Sequence, residues 1–239
     1  NYFLDVIYKK QLGRFYKAAT YEKTDLLEYY EYSSKYKESV HSKVNTIMAS
    51  NCSELDNITI GGKDVYNVAK FYSRDFDTID QSLLVHSHHI SYVHGDLNGA
   101  NIIIDGQDNV WLIDFFHTHR GHILKDLIKM ENDILFIFMK IDNKEELGKA
   151  TDVIDALINI EDLQQLPISK DFGSKKLNKA YMTIQHLRGM YPELINHDRG
   201  PYQMWISLLR YSVHTLGFEE CNSYQKELAL YSSGVLAQK

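Results

Sequence analysis

His94 to Asp114 reads HGDLNGANIIIDGQDNVWLID, and the fold turns on how this stretch is read. It sets His94, Asp96 and Asn101 in an H-x-D-x-x-x-x-N loop. Two apolar runs come next, Ile102 to Ile104 and Val110 to Ile113, around the turn Asp105-Gly106-Gln107-Asp108-Asn109. β-Branched and aromatic runs about such a turn predict a hairpin, and its second strand leads into Asp114. Phosphoryl transfer needs a set of this kind: a carboxylate to take the proton of an attacking hydroxyl, and an amide oxygen and second carboxylate to hold magnesium. Asp, Asn and Gly also form turns for conformational reasons alone. That accounts for Asn98-Gly99 but not for a strand that ends in a further Asp.

The loop resembles that of the aminoglycoside phosphotransferase and choline kinase superfamily, the small-molecule branch of the protein-kinase-like fold. HGDL followed by Asn101 is the usual form in that branch, with Gly95 where typical protein kinases carry Arg. The longer string FFHTHRGHILKDLIKMENDILFIF, from Phe115 to Phe138, also resembles a bacterial kinase-like module called a ternary-complex-associated domain, found in multidomain conflict and signalling proteins. The resemblance implies a predominantly α-helical α+β fold, the larger C-terminal lobe of a kinase-like domain with short β-hairpins around the catalytic loop. It implies that Asp96 is the catalytic carboxylate, with His94 beside it as a brace for the loop rather than a proton carrier. Asn101 and Asp114 would hold magnesium and, through it, the phosphates of ATP or another nucleoside triphosphate. Asp126, paired with Leu127, would start a core helix and brace the loop from below. An ordinary acidic residue in a helix's first turn is the equal alternative for Asp126.

The expected activity is ATP- and magnesium-dependent transfer of a phosphoryl group to a hydroxyl of a small molecule or a protein partner. Two departures bear on it. Asp114 is followed by Phe115-Phe116, so the Gly of D-F-G is missing, and the span to Asp126 is too short for a regulated activation segment. Both argue against a protein kinase switched by loop phosphorylation. No G-x-G-x-x-G nucleotide loop and no strand of the V-A-I-K type are present. Gly61-Gly62, in NITIGGKDVYNV, reads as a hairpin turn with Lys63 beside it, not as the missing phosphate site. With Asn1 in place of an initiator Met, the expectation is one kinase-like lobe over 1–239, cut from a longer protein, without its nucleotide-binding lobe. Leading helices and a hairpin fill 1–92, the catalytic and metal loops 93–126, and a helical subdomain 127–239. The rival is a non-catalytic kinase-like binding module of a larger bacterial signalling or defence protein.

The net charge of −6 argues against a general nucleic-acid binder, which draws on clustered Lys and Arg. No stretch is long and apolar enough to span a membrane. Cys52 and Cys221 are lone thiols that suit a reducing cytoplasm. The 17 Tyr suit either an interaction surface or half-buried helix positions with a wet hydroxyl.

Periodicity predicts helices over 2–19 and 25–48, joined around Thr20 to Thr24, a hairpin over 57–67, and a helix over 79–91 capped by Thr78 and leading to the loop. Further helices are expected over Lys125 to Ile141, Glu145 to Ile158, Lys175 to Tyr191, Pro201 to Leu216 and Asn222 to Ala237. His86, His88 and His89, then His117, His119 and His122, lack zinc-site spacings, so solvated or hydrogen-bonding roles are expected. A metal-dependent hydrolase built on them is a distant reading. Arg120 either reaches a phosphate near Asp114 or makes a surface ion pair. The acidic runs ENDI and NKEEL are expected to be solvated faces.

Overall fold

The computed structural model describes residues 1–80 and 85–239. The first element is a helical rod, α1 (Tyr2–Asp5), running through the π-helical turn Val6–Gln11 into α2 (Gly13–Lys17). Strand β1 (Thr20–Asp25) comes after it, then α3 (Leu26–Tyr29), α4 (Lys37–Met48), the hairpin β2 (Asn57–Ile60) and β3 (Lys63–Tyr66), and α5 (Val68–Lys70). Next come β4 (Val85–Val93), the hairpin β5 (Ile102–Ile104) and β6 (Val110–Leu112), and β7 (His119–His122). The rest is helical: α6 (Lys125–Asp133), α7 (Lys144–Ile158), α8 (Lys175–Arg188), α9 (Tyr191–Leu194), α10 (Tyr202–Thr215) and α11 (Ser223–Leu236). The architecture is therefore α+β and mostly helical, with small sheets.

The last four expected helices form close to their predicted bounds, and three of them have chemically marked starts. Asn143 caps α7 by accepting from the Glu146 amide, and Asn222 and Gln225 close a reciprocal capping box on α11. Pro201 opens α10, where its missing N–H costs little. Gly61 and Gly62, at φ of 59° and 83°, make the left-handed pair that a two-residue hairpin needs. Lys63 is committed elsewhere, at 2.6 Å from both Asp152 and Asp155 of α7.

Two expectations fail. The helix over 79–91 is not formed: Ile79 is extended and Val85–Val93 is a strand, with 81–84 outside the described residues. That strand is central in a three-stranded antiparallel sheet, pairing Thr20–Asp25 on one side and His119–His122 on the other. The joint around Thr20 to Thr24 is thus itself a strand, and partners far along the chain override local signals. The helix over 25–48 is broken in the middle. Asp25 caps α3, Glu31 turns to a left-handed φ of 57°, and Ser33 caps a fresh turn before α4.

At the centre lies α6, in which every residue from Asp126 to Asp133 is buried although most of them are polar. The run ENDI is therefore no solvated face. Glu131 is fully buried against Arg188, whose Nε donates at 2.9 Å, and Arg188 also donates to the Leu157 carbonyl. Lys129 pairs with Asp133 at 2.7 Å, and Asn132 donates to Thr215 at 3.0 Å. Around this helix, α7, α8, α10 and α11 close one continuous hydrophobic core that extends under the hairpins.

The histidines of β4 and β7 serve this core. His122 is fully buried, with Nδ1 at 2.9 Å from the Tyr30 hydroxyl and Nε2 at 3.2 Å from Gln203 Oε1. The His88 ring lies 6.0 Å from it. Burial lowers the pKa of both, that of His122 to about 3. A histidine with a folded pKa below its unfolded value stabilises above the unfolded value. That stability is lost as pH falls from 6.5 toward about 3, because the unfolded chain takes up the proton first. Denaturant midpoints should therefore drop between about pH 7 and about pH 5, with a slope approaching about 1.4 kcal/mol per pH unit. His122→Gln should flatten that slope.

Candidate functional site

Strand β4 delivers the chain to His94, and α6 fixes the loop beyond it. The Asp126 carboxylate accepts from the backbone amides of His94 (2.7 Å) and Gly95 (2.9 Å) and from the Tyr16 hydroxyl (3.1 Å). The Tyr8 hydroxyl donates to its carbonyl at 3.1 Å. One buried carboxylate thus ties the helical rod, the loop and the central helix together. Burial raises its pKa, an effect that the three donors oppose.

His94 is 1% exposed, and its Nε2 lies 2.9 Å from the Ile113 carbonyl. Since a carbonyl accepts only, Nε2 carries the proton. The ring stacks obliquely on Phe115, with centroids 4.9 Å apart, and its place is that of a brace between the loop and the segment carrying Asp114. Gly95 has a φ of +88°, and a Cβ there would sit 2.1 Å from the His117 carbonyl oxygen. That contact explains why Gly, and no side chain, occupies this position.

Asn98 caps a short turn over Gly99–Asn101, accepting from the amides of Ala100 and Asn101, while its Nδ2 donates to the Asp96 carboxylate at 3.2 Å. The Asn101 Nδ2 donates to the Asp96 carbonyl at 2.8 Å, and the Asn101 carbonyl accepts from the Ile113 amide at 3.1 Å. Asp96, Asn101 and the residue before Asp114 are thereby linked by consecutive hydrogen bonds. Asp114 itself is left-handed, with φ and ψ both 61°, and exposed. Among the described residues its carboxylate has no hydrogen-bond or ion-pair partner, and the Asn101 Oδ1 is likewise unspent.

These two oxygens are hard donors of the kind magnesium takes, few in number and completed by water and phosphate. The residues fit that ion. Among the described residues no group of three or more His, Cys, Asp or Glu side chains is placed to hold a metal, so the histidines form no centre of their own. Arg120 makes a surface ion pair with Glu22 and donates to Thr20 across the sheet.

Gly95, Asp96 and Asn98 open onto a cavity of about 880 Å³, whose other walls come from α6, α10 and the segment after β1. Lys125, Lys129 and Arg210 line it. Sequence reasoning did not single out Lys125 or Arg210. Lys125 adjoins the bracing Asp126 and was open to inspection, whereas nothing local marks Arg210.

The sequence model of a family described as ternary complex associated domain 9 matches residues 49–217, which contain the loop, the β5–β6 hairpin and α6. No curated protein and no solved structure matches the chain.

Gly95→Ala should lower stability by about 2 kcal/mol or more, from a left-handed backbone combined with a clash against a carbonyl. Urea unfolding measures this, and Gly106→Ala, which meets nothing within 4 Å, is the control.

Proposed function

The chain belongs to the ternary complex associated domain 9 family, and we propose that its site is the catalytic half of an ATP- and magnesium-dependent phosphotransferase of the aminoglycoside phosphotransferase-like class. The observation that carries this reading is how the loop's hydrogen bonds are spent. Backbone groups and the side chains of His94, Asn98 and Asp126 do the holding. The Asp96 carboxylate faces a large cavity with one oxygen free, and the Asn101 Oδ1 and the Asp114 carboxylate, tied to it through the hydrogen bonds of the loop, also remain unspent. A loop needed only for its shape has no use for three such groups together.

In this reading Asp96 orients an acceptor hydroxyl entering from the cavity and takes its proton as the phosphoryl group arrives. Asn101 and Asp114 would hold the magnesium, which supplies charge neutralisation on the phosphates. Asp126 and His94 keep the loop and the Asp114 segment in register. Nucleotide grip beyond the metal would come from elements outside the described site.

A second reading has its own support. The family's description speaks of a ternary complex, and the segment around Asp114 exposes Trp111, Ile113, Phe115 and Phe116, the last at 87%. Apolar groups grouped in this way suit a protein partner, so a binding module without chemistry is the alternative.

Calorimetry of ATP binding separates the two, run on this chain and in parallel on the full natural protein. The phosphotransferase reading expects binding that requires magnesium and is lost in Asp114→Ala. It also expects Asp96→Asn to bind nucleotide normally while any phosphoryl transfer falls by about 10²–10⁴-fold. Magnesium-independent binding, or none in either protein, would leave partner capture as the account.

A further inference from the structure

The cavity in front of Asp96 has an uneven electrostatic lining. Its cations are Lys125, Lys129 and Arg210, and its carboxylates, apart from Asp96, are Glu31, Asp133 and Glu220. Most of the negative charge is already committed or wet. Asp133 is held by Lys129 at 2.7 Å in the protein interior. Glu31 lies at the solvent edge, with its side chain 75% exposed and 3.8 Å from Arg210. Glu220 is exposed.

Lys125 is different. Its side chain is half-buried, no carboxylate lies within ion-pair distance, and its ammonium rests over the rings of Tyr29 and Tyr30, at 4.9 and 5.4 Å from their centroids. Ring faces compensate a desolvated cation only in part. Arg210 spends its Nε on the Tyr30 carbonyl at 3.0 Å, leaving guanidinium donors toward the cavity. Burial depresses Lys125 and His214, and Arg210 adds to both shifts, while Asp126, Glu31 and Asp96 oppose that of Lys125 and Asp96 that of His214. Much of the remaining lining is aromatic, with Tyr29, Tyr30, Tyr211, Phe138 and Phe218 beside His117, His119 and His214.

We propose that this cavity takes an anionic polyhydroxylated acceptor, a sugar-sized compound bearing a phosphate or carboxylate. Its anion is held by Lys125 and Arg210, its ring faces the tyrosines, and a hydroxyl lies toward Asp96. This inference rests on the phosphotransferase reading for the role of that hydroxyl, whereas anion capture itself does not need it. The cavity volume suits a ligand of this size. A polycationic aminosugar fits less well, because it would meet Lys125 and Arg210, and, apart from Asp96, the carboxylate that touches the loop, Asp133, is already paired with Lys129. Lys125 and Arg210 are specificity residues, and neither is asked to move a proton.

Binding is to be measured by calorimetry on the intact chain, with glucose 6-phosphate and glucuronate as anionic probes, glucose as the neutral probe and kanamycin as the cationic one. The expected result is binding of an anionic probe, weakened about 10-fold to 100-fold in Lys125→Met and in Arg210→Met, and retained in Lys125→Arg. Removing an uncompensated cation should also raise the melting temperature of Lys125→Met. A merely structural lysine would lower it. The anionic probe should bind equally well to Asp114→Ala and should not be displaced by magnesium-ATP, which separates an acceptor site from a nucleotide phosphate site. Binding of glucose or kanamycin in preference to both anions, or displacement of the anion by magnesium-ATP, overturns the proposal while leaving the phosphotransferase reading intact. Anion binding lost in Lys125→Met, alongside failure of all nucleotide binding, keeps the anion site and removes the chemistry.

Discussion

A helix that is charged and yet buried on all sides governs this molecule. Ionisable groups at Asp126, Lys129, Glu131 and Asp133 lie within the core, where the cost of an unpaired charge is several kcal/mol. Each must recruit partners, and the partners come from distant parts of the chain. Arg188 brings α8 to Glu131, while Asp126 brings Tyr16 of the first rod and the amides of His94 and Gly95. Packing alone tolerates small slides between helices. A carboxylate with three donors around it does not, and so the loop's position is set by electrostatics more than by shape.

The same economy accounts for the groups left free. Several polar groups near the loop are spent on holding it, although the buried Nδ1 of His94 has no partner among the described residues. Asn98 caps its turn, Asn101 uses only its amide hydrogens, and His94 faces inward to a carbonyl. Among the described residues the Asp114 carboxylate and the Asn101 Oδ1 are left without partners, and Asp114 is one of five non-glycine residues with a left-handed φ.

Much of this was legible in the chain. The two hairpins announce themselves through Gly61-Gly62 and through Asp105 to Asn109. The C-terminal helices announce themselves through their caps, and the loop through its H-x-D-x-x-x-x-N spacing. The resemblance singled out Asp126 as a brace, beside the equal reading of an acid in a helix's first turn; it stands in that first turn and its carboxylate accepts from the His94 and Gly95 amides. The break in the expected 25–48 helix is local, at Glu31 and Ser33, whereas the other failures share one cause. Val85–Val93 is a strand because Thr20–Asp25 and His119–His122 lie beside it, and no local window contains those partners. ENDI looks solvated until Arg188 is brought to it, and the cationic wall exists only once α6 and α10 face each other.

The fixed points around Asp114 also bear on what a docking molecule would meet there. Ile113 is held by the ring of one loop residue, and the His117 carbonyl is pressed against the bare Cα of the next. The intervening residues form a short arch with both feet on the same foundation. Anything that docks against the exposed rings of Phe115 and Phe116 therefore meets a segment anchored on both sides to the loop.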